Sequence, residues 1–94
     1  LRNYDKDAII ITSRVHPGEV QSSFAVEGLV NYLLSDTKEA QDIRKKYIIY
    51  VVPMLNIDGV VQGNQRTNLA GFDLNRKWSE PSPHLCPIIY AVNN

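Results

Sequence analysis

The chain has 94 residues, 44% of them hydrophobic, which allows a small packed core and excludes a disordered segment. Ten basic and ten acidic side chains cancel, so no overall field gathers nucleic acid or an anionic membrane, and neither is expected as a partner. No apolar run approaches the ~18 to 20 residues that span a bilayer. The one cysteine, Cys86, has no internal disulfide partner, fits a reducing compartment and reads as a small buried hydrophobe. A first residue of Leu1 instead of Met leads us to expect a piece of a longer protein.

Residues 8–13 (AIIITS) form an apolar, β-branched run of strand length, expected to be buried on both faces as in a parallel sheet. His16-Pro17-Gly18-Glu19 follows at once. Proline suits the second position of a β-turn and glycine the third, where φ is free to be positive, so His16 and Glu19 fall at the two ends of one tight turn. An imidazole and a carboxylate so close can chelate one divalent ion, although a lone His-x-x-Glu pair also reads as an ordinary surface turn. From Val20 to Leu34 apolar residues recur at helical spacing, predicting a helix. Asp36 opens a second, shorter helix through Arg44, acidic early and basic late. Residues 47–54 (YIIYVVPM) predict another buried strand, completing a βαβ unit.

Beyond Met54 the turn residues Asn56, Asp58, Gly59, Gly63, Asn64, Asn68, Gly71, Asp73 and Asn75 predict a long loop, and such loops are uncommon in compact domains unless they bind something. Pro81, Pro83 and Pro87 precede Ile88-Ile89-Tyr90-Ala91-Val92, which predicts the opening of a further helix. Two strand ends therefore deliver His16 and Glu19 on one side and Asn56 to Asp58, Arg66 and Asp73 to Arg76 on the other, and open α/β sheets place their ligands at such ends.

Three ordered motifs carry a family resemblance: Arg14-Val15-His16-Pro17-Gly18-Glu19, Val52-Pro53-Met54-Leu55-Asn56-Ile57-Asp58-Gly59-Val60 and Leu69-Ala70-Gly71-Phe72-Asp73-Leu74-Asn75-Arg76. Over about residues 9–78 the chain resembles the zinc metallocarboxypeptidases, in particular their cytosolic branch. The resemblance implies a three-layer α/β/α fold with a mixed sheet, incomplete here, with residues 1–94 forming part of the catalytic domain. It implies Zn2+ as cofactor, with His16 and Glu19 as two ligands and Asp73 orienting the histidine. Arg66 would polarise the scissile carbonyl, and Asn75 and Arg76 would grip the substrate's terminal carboxylate. The family's third ligand, a histidine, and its general-base glutamate are expected further along than residue 94.

The implied reaction is removal of C-terminal residues from proteins or peptides in the cytoplasm, with glutamate-rich tubulin tails as one substrate. The 94 residues alone are expected to be inactive and, with apolar faces exposed, to aggregate. Ile57 stands where the family usually has proline. His84, between prolines, reads as an exposed loop histidine in place of a third ligand, and nothing marks Glu80 as a base. Two other readings stay open: a non-catalytic module that binds peptide C-termini, and a small structural α/β domain in which the His16 turn is incidental.

Overall fold

A computed structural model describes residues 5–94 of the chain. Two six-residue strands, β1 (Asp7–Thr12) and β2 (Tyr47–Val52), pair in parallel, in register from Asp7 opposite Tyr47 to Thr12 opposite Val52. Their connection runs through α1 (Val20–Leu33) and α2 (Lys38–Lys46). Parallel strands require such a crossover, because a tight turn cannot bring the chain back to the same end. The cap of α2 is Thr37, one residue later than the sequence suggested, with its hydroxyl accepting from the Ala40 amide at 3.3 Å. Arg44 near the end of α2 donates to the carbonyls of Leu33 and Ser35, which ties the two helices together where α1 stops.

The expectation that both strands are buried on both faces fails for the described residues. Ile10 is 59% exposed, and Ile9 and Tyr50 also keep large apolar areas open. Two strands alone cannot have a neighbour on each edge, and one crossover pair does not cover both faces. The core lies elsewhere, under the strand ends. Leu55, Leu74, Cys86 and Ile89 form it, with Val15, Val52, Phe72, Trp78, Ile88 and Val92 packed around them. Cys86 is thus a buried apolar residue, as expected.

The region expected to be a long loop contains helix. α3 (Ile57–Gln62) is capped at its start by the Asn56 side chain, which accepts from the Gly59 amide at 3.0 Å, and closed at its end by Gly63 in the left-handed region at φ 76°. Ile57 occupies the first helical position, where proline is favoured but its fixed φ is dispensable. A single 3-10 turn (Leu74–Arg76) is capped by Asp73, and α4 (Pro87–Asn93) starts on Pro87 as that rule anticipates.

Hydrogen bonds continue past the ladder and hold the two strand ends side by side. The Ser13 amide donates to the Val52 carbonyl at 2.9 Å, Leu55 to Ser13 at 2.9 Å, and Asn56 to Arg14 at 3.2 Å. The segments after β1 and β2 therefore leave the sheet together, and the chemistry-bearing residues follow them.

Candidate active site at the strand ends

The His16 turn closes as expected, with the Glu19 amide donating to the His16 carbonyl at 3.2 Å. Gly18 is there for a different reason from the one its turn position suggested. Its φ is not positive; instead the Gly18 amide donates to the Gln65 carbonyl at 2.8 Å, and an added Cβ would meet that same oxygen at 2.8 Å. The turn also has a brace on its other side. Arg14 takes a left-handed backbone at φ 52°, and its Nε donates to the Pro17 carbonyl at 2.8 Å while Nη1 donates to Ser23 Oγ at 2.9 Å. Non-glycine residues enter that region only when their surroundings over-determine it, as these bonds do.

His16 is 7% exposed, and its two ring nitrogens face two carboxylates. Nε2 lies 2.9 Å from Asp73 Oδ1 and Nδ1 lies 3.1 Å from Glu19 Oε1. Burial pushes the Asp73 carboxyl up, but hydrogen bonds from His16, the Asn75 amide and Arg66, with the Arg66 charge, outweigh it and hold Asp73 below the usual carboxylate range. An ionised Asp73 accepts only, so Nε2 carries the proton. In the neutral ring Nδ1 then offers a lone pair toward another acceptor, Glu19. Two acceptors at that distance require a cation between them, either a second ring proton or a metal ion. The donor set therefore fits a divalent cation on His16 and Glu19, with Asp73 fixing the tautomer from behind. Among the described residues no group of three His, Cys, Asp or Glu side chains is arranged to hold a metal.

Asp73 joins the rest of the site. Its Oδ1 also accepts from the Asn75 amide at 2.9 Å, and its Oδ2 accepts from Arg66 Nε and Nη2, both at 2.8 Å. One carboxylate thus links His16, Arg66 and the start of the turn bearing Asn75 and Arg76. Asn75 and Arg76 are exposed, and among the described residues the Arg76 guanidinium has one long bond, Nη1 to the Asn75 carbonyl at 3.4 Å. His84 and Glu80 are exposed and do not join the cluster.

Three roles escaped the sequence reading. Arg14 braces the turn, Asn56 donates from Nδ2 to the Val15 carbonyl at 3.3 Å while capping α3, and Trp78 donates from Nε1 to Asn75 Oδ1 at 3.0 Å. Only Trp78 carried a usable signal, since an indole N–H donates and never accepts, and Asn75 lies one turn away.

Sheet, crossover and strand-end cluster together describe part of an α/β domain that gathers its polar side chains at the strand ends. The zinc carboxypeptidase profile matches residues 1–91, and the chain belongs to that family. It is 50% identical over 82 residues to cytosolic carboxypeptidase 1 of Mus musculus, covering 87% of this chain and 7% of that protein. Cytosolic carboxypeptidase 6 of Caenorhabditis elegans is 49% identical over 89 residues, covering 95% of this chain and 19% of that one. Among solved structures, a putative carboxypeptidase A from Shewanella denitrificans superposes with a TM-score of 0.93 at 44% identity, over 96% of this chain and 24% of its own. A metallo-carboxypeptidase from Pseudomonas aeruginosa, solved with (2-guanidinoethylmercapto)succinic acid, gives 0.87 at 39% identity, over 97% of this chain and 25% of its own. The chain thus spans a quarter or less of these relatives.

Proposed function

We propose that residues 1–94 form part of the catalytic domain of a zinc-dependent metallocarboxypeptidase that removes C-terminal residues from proteins or peptides. The observation that carries this reading is the bonding of Asp73 to both His16 and Arg66, an imidazole and a guanidinium on one carboxylate. His16 Nδ1 and Glu19 would hold the zinc ion. When bound, zinc supplies Lewis acidity toward a peptide carbonyl and lowers the pKa of water near neutrality.

The chain's own residues supply recognition and charge. Arg76 offers a planar fork of donors that matches a terminal carboxylate bidentately, and the Asn75 amide adds a neutral donor beside it. Arg66 stays charged at any working pH and opposes negative charge developing on the scissile carbonyl, where a lost donor costs ~3 to 4 kcal/mol in the transition state. The Pseudomonas relative was solved with a ligand built on succinic acid, which carries carboxylates, and this supports carboxylate binding by a protein of this family.

The names of the cytosolic relatives support a cytoplasmic location. Resemblance to that branch extends the proposal to glutamate-rich tails such as those of tubulin, and comparing a glutamate-tailed with a neutral-tailed peptide tests it. The 94 residues alone are expected to be inactive, since among the described residues no group of three potential ligands is assembled.

The test is zinc content and peptide hydrolysis by the intact protein carrying His16→Ala or Glu19→Gln. Both variants should lose bound zinc and hydrolysis together. Full activity without zinc would overturn the proposal, and tight binding of a peptide acid without cleavage would favour the non-catalytic binding module.

A further inference from the structure

Asn75 has an amide whose two ends do opposite things. Nδ2 donates to a carboxylate, whereas Oδ1 in the same place would repel one and would accept from a C-terminal carboxamide. Recognition of a free chain end therefore depends on which way the amide is turned. Rotation about the last side-chain bond has a broad energy profile, so an exposed asparagine has little intrinsic preference.

Trp78 removes that freedom. Its Nε1 lies 3.0 Å from Asn75 Oδ1, and an indole nitrogen can only donate, so the atom facing it must be the oxygen. Turning the amide over would set its NH2 group against the indole N–H, donor to donor. The indole itself is well held. Its ring packs against the core of Leu55, Leu74, Cys86 and Ile89, and its backbone carbonyl accepts from Asn93 Nδ2 at 2.8 Å. At its other end, the Asn75 backbone is pinned by the hydrogen bond that its N–H donates to Asp73 Oδ1. Side chain and main chain are thus fixed independently, one from the core and one from the cluster around His16.

We propose that Trp78 is a positioning residue for substrate selection: its core-anchored indole N–H fixes the Asn75 amide so that Nδ2 faces the carboxylate of the substrate's chain end. The inference rests on the carboxylate-binding reading of Asn75 above and adds how selection of free acid over carboxamide is enforced. Trp78 touches no reacting atom in this account.

The test uses the intact protein and two matched peptides, one ending in a free carboxylate and one in a primary carboxamide. Trp78→Phe keeps the aromatic packing and removes the donor. It should raise KM for the acid about twofold with kcat nearly unchanged, because an amide with no intrinsic preference is correctly turned about half the time and apparent affinity falls by that fraction in the ground and transition states alike. The acid-to-amide preference should fall by at least the same factor. Replacing the indole with its benzothienyl isostere, which preserves shape without the N–H, should reproduce both changes. In an Asn75→Ala background, Trp78→Phe should add nothing. Calorimetric binding of the peptide acid gives the same comparison without turnover.

Unchanged acid-to-amide preference in both Trp78 variants, with Asn75→Ala still raising KM, overturns the proposal and leaves the carboxylate reading standing. So does a full effect of Trp78→Phe in the Asn75→Ala background. If Asn75→Ala alone changes neither KM nor preference, the carboxylate reading fails and this inference fails with it.

Discussion

Asp73→Asn separates orientation of His16 from mere packing. In the native chain Asp73 accepts four N–H groups: His16 Nε2 and the Asn75 amide on Oδ1, and Arg66 Nε and Nη2 on Oδ2. Asparagine is the same shape but has one oxygen. That oxygen is best kept toward His16 and the Asn75 amide, which turns the new NH2 toward the Arg66 donors. The Arg66 side chain is 49% exposed and regains water when released, so that side should cost no more than ~1 kcal/mol of stability. On the His16 side the hydrogen bond survives but loses its charge, roughly halving its strength and lowering the basicity of Nδ1. Loss of such a partner typically weakens metal binding ~10- to 100-fold, or about 1.4 to 2.8 kcal/mol. Zinc affinity measured by chelator competition on the intact protein should therefore fall by that factor, while the melting temperature of the metal-free form moves little. A large drop in melting temperature with zinc affinity unchanged would refute the reasoning and make Asp73 a brace only.

Two glycines in helices should respond oppositely to alanine. Gly28, within α1, has nothing within 4 Å of an added Cβ, so Gly28→Ala should stabilise by ~0.5 to 1 kcal/mol through helix propensity; Gly59→Ala should destabilise, because its Cβ would meet Pro17 Cγ and Asn56 Oδ1, each at 2.6 Å. Matching shifts of denaturation midpoint in the two variants would contradict this. The isolated 94 residues expose Phe24 and Leu34 at 69% each and Val61 at 76%, and should self-associate in sedimentation at micromolar concentration. A monomer that melts cooperatively would refute that expectation.

Both strands and their crossover were legible because β-branched runs and helical apolar spacing survive without knowledge of their neighbours. The burial of those strands was not, since it depends on which elements flank them. Helix α3 was missed for a definite reason. It has six residues, and the Asn56 and Gly63 that made the region look like loop are its caps. Gly18 was assigned a conformational role when its actual constraint is the Gln65 carbonyl, a contact made across the fold and invisible to local turn rules. At the site, the motifs brought His16, Glu19, Asp73 and Arg66 to attention, and the structure assembles them around one carboxylate. The braces from Arg14 and Asn56 were hidden, because each depends on a backbone carbonyl positioned by its surroundings rather than on a side-chain pattern.

The central claim is zinc-dependent cleavage at a free chain end, and the most direct measurement follows product release from one peptide whose C-terminus is free or amidated, using intact protein stripped of metal and then reloaded with zinc. The account predicts release of the last residue from the free peptide only after zinc is restored, and negligible release from the amidated one. Internal cleavage, or equal cleavage of both peptides, would contradict it.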